Sequence, residues 1–213
     1  MSMTSDSVDS AADHAEIIRL VQNWGFLRDD GFWNELLDCY TPDGRMATSW
    51  SDLSAADFVK ACRQGMNQRK QGVLHAVGAG TVAQRGDRAI AQTRLTILLR
   101  GELHGVEVDV TCHGRSYDHV LLWRGQWKIH RRYNIYERSR IDPVVPGTAP
   151  ALDPDLLAQY PASYRHLAYF QVSNGARVPT DLPAPDTPSL ARLLARGEAW
   201  LEGGDPDAGA GQG

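Results

Sequence analysis

The feature that most constrains this chain is a change of hydrophobic period near residue 70. Before it, apolar residues recur at helical spacing. After it, to about residue 137, they come in β-branched and aromatic runs joined by Gly. A helix buries a stripe every three to four residues and a strand buries alternate ones, so the two halves cannot share one element type. Ile17, Ile18, Val21, Trp24 and Leu27 predict a helix over 12–27. A break at Asp29, Asp30 and Gly31 precedes a second short helix over 32–40, which Thr41, Pro42, Asp43 and Gly44 terminate. Residues 45–50 read as a short strand, and SDLSAADFVKACRQGMNQR as a third helix capped by Ser51 or Ser54. Segments 72–84, 88–100, 104–114, 115–124 and 126–137 predict strands, with hairpin turns at 85–87 and 123–127. Helices followed by consecutive antiparallel strands make an α+β domain whose curved sheet packs on the helices.

The remainder divides by texture. Residues 1–11 read as a flexible leader and 12–140 as the main folded domain. Residues 141–203 form an extension with two Pro-rich stretches, an aromatic segment (DLLAQYPASYRHLAYFQ) and an amphipathic helix (SLARLLARGEAWLEGG) that docks on the domain or at an interface. Residues 204–213 read as a disordered tail. A chain of 213 residues with net charge -4 can bury a full core but offers little to a polyanion, so no nucleic-acid partner is expected. No apolar run has membrane-spanning length and the first residues lack a signal pattern, so no membrane association and a cytoplasmic location are expected. Cys39, Cys62 and Cys112 are too few and scattered for a disulfide framework or thiolate zinc site, and read as buried thiols.

Several polar residues stand out against this background. Asp29 closes the first helix; it is either a turn carboxylate or half of a catalytic pair, and Asp30 suits the turn equally well. His75 interrupts the apolar run GVLHAVGAG; it is either a core histidine or a base whose second nitrogen a carboxylate orients. In CHGRSYDH, strict alternation puts His113, Arg115, Tyr117 and His119 on one face. In WKIHRRYNIY it puts Arg131 with Trp127, Ile129, Tyr133 and Ile135, and Lys128, His130, Arg132 and Asn134 opposite. Arg131 is a candidate to stabilise oxyanion charge, a snorkelling arginine, or an ion-pair partner of Asp118. No metal or cofactor is expected: His113 and His119 are too far apart along a strand, and there is no HExxH, P-loop, Rossmann fingerprint or GxSxG elbow.

Three blocks carry a family resemblance: IIRLVQNWGFLRDDGFWNELLDCYTPDGR, GVLHAVGAGTV and GRSYDHVLLWRGQWKIHRRYNIYE. In this order they resemble the SnoaL-like branch of the NTF2-like superfamily, which includes scytalone dehydratase, hexachlorocyclohexane dehydrochlorinase, polyketide cyclases and steroid isomerases. The resemblance covers about residues 12–140. It implies a cone of N-terminal helices packed in a strongly curved antiparallel or mixed sheet around a deep pocket. It also implies an Asp–His dyad at Asp29 and His75, a pocket arginine at Arg131, and a second histidine at His119 or His113. Longer relatives include lyases that release formaldehyde from diaryl compounds.

The resulting expectation is a cofactor-independent lyase. His75, held by Asp29, removes a proton from a hydrophobic, aromatic small molecule, while Arg131, Tyr117 or His119 stabilises charge as water or a small group such as formaldehyde leaves. Isomerisation or cyclisation by the same dyad is an alternative, as is a non-catalytic ligand-binding or assembly module or the small subunit of a ring-hydroxylating oxygenase. A homodimer or homotrimer is expected.

Overall fold

The computed structural model describes residues 11–68 and 72–207; residues 1–10 of the expected leader (1–11) and 208–213 of the expected tail (204–213) lie outside the described residues, and Ala11 belongs to the first helix. Helix α1 (Ala11–Asp29) turns Ile17, Val21 and Trp24 inward, as its periodicity predicts. It ends at Asp29, and the turn that follows passes through Gly31, whose φ of 76° is a left-handed conformation open to glycine. Helix α2 (Trp33–Asp38) has Phe32 at its cap position without a side-chain cap bond, so Asp30 does not serve there. Strand β1 (Tyr40–Ala47) begins ahead of the predicted 45–50. The Thr41–Gly44 turn signal is absorbed as an irregularity in its pairing between Tyr40 and Arg45.

After β2 (Asp52–Ser54), helix α3 (Ala55–Gln68) is capped by Ser54. The Asp57 N–H donates to Ser54 Oγ at 3.1 Å, and the Ser54 hydroxyl donates to Asp57 Oδ2 at 2.7 Å. Ser51 is instead engaged with Thr48. Four strands follow: β3 (Val73–Arg85), β4 (Arg88–Leu103), β5 (Val106–Trp123) and β6 (Gln126–Pro143). The two strands predicted at 104–114 and 115–124 are one, β5. Gly114 does not break it but admits a close strand approach, since a Cβ there would sit 2.1 Å from the Ile135 carbonyl oxygen. Helices α4 (Pro154–Ala158), α5 (Arg165–Ser173) and α6 (Pro188–Leu201) complete the chain. In α6, Pro188 sits in the first turn and Thr187 Oγ1 accepts from the Leu190 N–H at 3.2 Å.

The strands form one mixed sheet in the order β2-β1-β6-β5-β4-β3, with β1 parallel to β6 and the other pairs antiparallel. The α+β class and mixed sheet agree with expectation, but the strongly curved, cone-like sheet does not. The sheet is open, with β2 and β3 as separate edges, and is not strongly curled. The physical reason lies in the middle: β4 and β5 pair residue for residue from Arg88↔Leu121 to Leu103↔Val106 without a bulge. Tight coiling needs bulges or glycine kinks repeated across a sheet.

Both faces of the sheet are covered. On one, α1 packs Ile17 and Val21 on Ala89, Ala91, Val120 and Trp127. Further along that face, α5 packs Leu167 and Ala168 on Val108, Val110, Cys112 and Tyr136. On the opposite face, α6 packs Leu193 and Trp200 on Ile90, Tyr117 and Ile135. The space between α1, α3 and α5 on the first face holds the site. Cys39, Cys62 and Cys112 are buried and none forms a disulfide. No described helix is long and apolar enough to cross a membrane.

Candidate active site

Gly25 sets how closely α1 approaches β3. A Cβ there would lie 2.9 Å from Val77 Cγ2 and 3.3 Å from the His75 carbonyl oxygen. One helical turn on, Asp29 meets His75. The His75 backbone N–H donates to Asp29 Oδ2 at 2.5 Å, and the ring Nδ1 lies 2.7 Å from Oδ1. Both side chains are only 10% exposed. Since a carboxylate only accepts, Nδ1 carries the proton and Nε2 is left as the basic nitrogen. Burial holds His75 below its ordinary value of 6.5; Asp29 opposes that shift, and Arg28 and Arg132 add to it. The imidazole is therefore neutral at neutral pH.

Trp24 backs the histidine. Its ring meets His75 edge-on at 5.7 Å and stacks on Phe58 at 5.9 Å, and its Nε1–H donates to the Tyr40 hydroxyl at 2.7 Å. The Arg132 guanidinium lies 4.4 Å over the same ring. Behind it, Arg132 forks onto the fully buried Asp118 at 2.6 and 3.0 Å and donates to the Val21 carbonyl at 3.2 Å. Asp118 thus takes Arg132, not Arg131, as its ion-pair partner. Burial raises the Asp118 carboxyl against the pull of that arginine.

His75 lines an inner chamber of about 50 Å³ with Trp24, Phe58, Ile97, Asn134, Tyr136 and Gln171. Asn134 Oδ1, the Tyr136 hydroxyl and Gln171 Oε1 are buried without a hydrogen-bond partner. Burial pushes the Tyr136 hydroxyl pKa up, outweighing Ser49 and Asn134 beside it, which lower it. Unsatisfied buried polar groups cost stability unless a water or a ligand completes their bonding. An outer cavity of about 750 Å³ shares Arg28, Trp50, Val73, Leu99 and Gln171 with the chamber. The C-terminal extension supplies its far wall through Phe170, Asn174 and Arg177. Phe170 seats over Gly101, where a Cβ would lie 2.5 Å from its Cζ.

The other sequence candidates do not join the dyad. Tyr117, His119 and Arg131 lie on the opposite face, beneath α6 and the segment after it. The Tyr117 hydroxyl packs on Gly197, where a Cβ would lie 1.8 Å away, and burial raises its pKa to about 12. His119 is fully buried and stacks on Trp200 at 5.7 Å; neither ring nitrogen has a partner, and burial lowers its pKa to about 3. Arg131 binds Asp207 at 3.0 and 2.5 Å and donates to the Asp43 and His130 carbonyls at 2.9 and 2.8 Å. His113 pairs with Thr96 Oγ1 at 3.0 Å.

The expected grouping of Arg131 with Trp127 and Ile129 fails for a definite reason. His119 pairs with Arg131 but Val120 pairs with Ile129, so His130 is an extra residue and the parity of β6 flips across it. Trp127 and Ile129 therefore share their face with Arg132, Asn134 and Tyr136. These polar residues were not singled out by strict alternation, although the density of Arg, Asn and Tyr in RRYNIYE was a signal. Gln171 carried no signal, because nothing in α5 identifies which turn faces the chamber. Among the described residues, no group of three or more His, Cys, Asp or Glu could hold a metal ion.

Comparison with known proteins agrees with this architecture. Residues 9–133 match the family model of the SnoaL-like domain. Pea pathogenicity protein 2 of Fusarium vanettenii is 29% identical over 203 residues, covering 91% of this chain and 87% of that protein. An uncharacterized protein of Emericella nidulans is 28% identical over 179 residues, covering 80% and 75%. Among solved structures, the Kfla4162 protein from Kribbella flavida has a TM-score of 0.50 at 15% identity, covering 64% of this chain and 94% of its own. The structure described as a putative scytalone dehydratase from Novosphingobium aromaticivorans has a TM-score of 0.49 at 18% identity, covering 65% and 91%. With more than half of its length matched by the family model, the chain belongs to the SnoaL-like domain family.

Proposed function

We propose that the protein is a cofactor-independent lyase in which His75 is the general base and Asp29 orients it. The carrying observation is the 2.7 Å contact between His75 Nδ1 and Asp29 Oδ1 at the wall of a chamber lined by both aromatic and polar side chains. Nε2 takes a proton from carbon beside a carbonyl, the C–H electrons form the new double bond, and the β-carbon–oxygen bond breaks. The departing hydroxide takes the proton back from the imidazolium and leaves as water, so the histidine is regenerated. The Tyr136 hydroxyl, a donor at the chamber wall, takes the charge-stabilising role first expected of Arg131, Tyr117 or His119, while the unpartnered Asn134 Oδ1 can only accept a bond from the substrate. Trp24, Phe58 and Ile97 suit a flat, hydrophobic, aromatic substrate.

A panel of β-hydroxy carbonyl compounds and diaryl alcohols tests this reading, with new conjugation followed by ultraviolet absorbance and formaldehyde release by trapping. His75→Gln is expected to lower kcat about 10²–10⁴-fold on any substrate found. Full activity in that variant would remove His75 as the base. Tyr136→Phe is expected to lower kcat by roughly tenfold or more with little change in KM, as for a bond formed mainly in the transition state.

A further inference from the structure

Arg28 stands at the junction of the inner chamber and the outer cavity and lines both. Its side chain is 12% exposed, yet among the described residues only one of its N–H donors meets an acceptor, Asp29 Oδ1 at 3.2 Å. That oxygen also receives His75 Nδ1. None of its other N–H groups is among the buried atoms without a partner, so they open onto the two cavities it lines, where the oxygens of a ligand can reach them. Of the other charges facing the outer cavity, Arg100 on β4 is held by Asp109 through two 2.7 Å bonds, Arg177 after α5 makes no ion pair among the described residues, and Glu102 is the cavity's one lining carboxylate.

We infer that the substrate carries a carboxylate, which pairs with Arg28 at the cavity junction while the reacting carbon lies over His75 Nε2. This rests on the catalytic reading above and adds a charge argument to it. With His75 neutral, Arg28 and Asp29 balance each other. Once His75 takes a proton, the group carries a net positive charge on side chains that are mostly buried. Behind it, Asp118 already neutralises Arg132. A carboxylate on Arg28 restores the balance at that moment. It also offsets the charge by which Arg28 depresses the basicity of His75, so the base strengthens when the correct substrate is bound. A substrate lacking the acid would fill the chamber without this effect, which makes Arg28 a specificity-determining residue.

Naphthalene carboxylate and its neutral carboxamide serve as matched probes, titrated at neutral pH against tryptophan emission, since Trp24 and Trp50 line the inner chamber. The carboxylate is expected to bind roughly tenfold or more tighter than the amide, the scale of one charge-assisted bond. Arg28→Gln should erase the preference and Arg28→Lys should keep part of it. His75→Gln should keep all of it, because the subsite does not need the base. Equal binding of the two probes to the unaltered protein, no binding of either, or a preference surviving in Arg28→Gln would overturn the inference. Turnover retained by His75→Gln would instead remove the catalytic reading and leave the carboxylate preference standing, so the two failures are distinguishable.

Discussion

At the residue scale, the decisive arrangement is a carboxylate that binds one histidine twice, through ring and backbone. The second bond fixes the strand that carries the ring, so Asp29 sets position as well as tautomer. Asp29→Asn tests the tautomer separately from the geometry. An amide N–H in place of Oδ1 turns Nδ1 into the acceptor, moves the proton to Nε2 and removes the basic nitrogen. A loss of kcat of about 10²–10⁴-fold with folding retained is expected; a mild loss would mean that Asp29 only braces the turn. Asp29 and His75 were legible in the sequence because each breaks an apolar pattern. Asn134 and Tyr136 were not, since they sit in a strand where polar and aromatic residues already alternate and only the partner strand fixes which ones face inward.

At the element scale, one extra residue in β6 decides which side chains share the chamber. Period-two reasoning is sound up to a bulge and inverted beyond it, and single-sequence pattern gives no notice of the extra residue at His130. The helices were more legible: the α1 stripe, the Ser54 cap and the Pro188 start are local signals read without knowledge of the fold. The merging of two predicted strands into β5 came from Gly114, which reads as a break but serves as a contact. α6 depends on a second such contact, between Gly197 and Tyr117. Gly197→Ala is expected to push α6 off the sheet and lower stability by about 1–3 kcal/mol, measured by urea denaturation. Pairing it with Tyr117→Phe should recover part of the loss, because the hydroxyl is the atom displaced.

At the scale of the whole molecule, the open sheet is closed over by helices instead of by its own curvature, and the C-terminal extension covers both faces. α5 walls the outer cavity on one side, while α6 and the Arg131–Asp207 pair cover the other. His119 and His130 are stacked against Trp200 of α6 and are held neutral, His119 at about 3 and His130 below 6.5, both chiefly by burial. Below 6.5 the unfolded chain binds more protons at these sites than the folded one. Their contribution to stability is therefore complete above 6.5 and is lost as the pH falls through the window between 6.5 and about 3. His119→Phe should leave neutral-pH stability unchanged or raised, since it removes two unpartnered nitrogens. It should also flatten the acid limb by roughly 3 kcal/mol at most near pH 4. An acid limb identical to that of the unaltered protein would show that His119 is charged or solvated in the folded state.

The central claim is that His75 is a neutral base presented by Asp29, and nitrogen-15 NMR of the histidine rings tests it without a known substrate. At neutral pH the His75 signals are predicted to be those of the Nδ1–H tautomer with Nε2 unprotonated, titrating below 6.5 and moving to the Nε2–H tautomer in Asp29→Asn. An imidazolium at neutral pH, or an Nε2–H tautomer in the unaltered protein, would contradict the account.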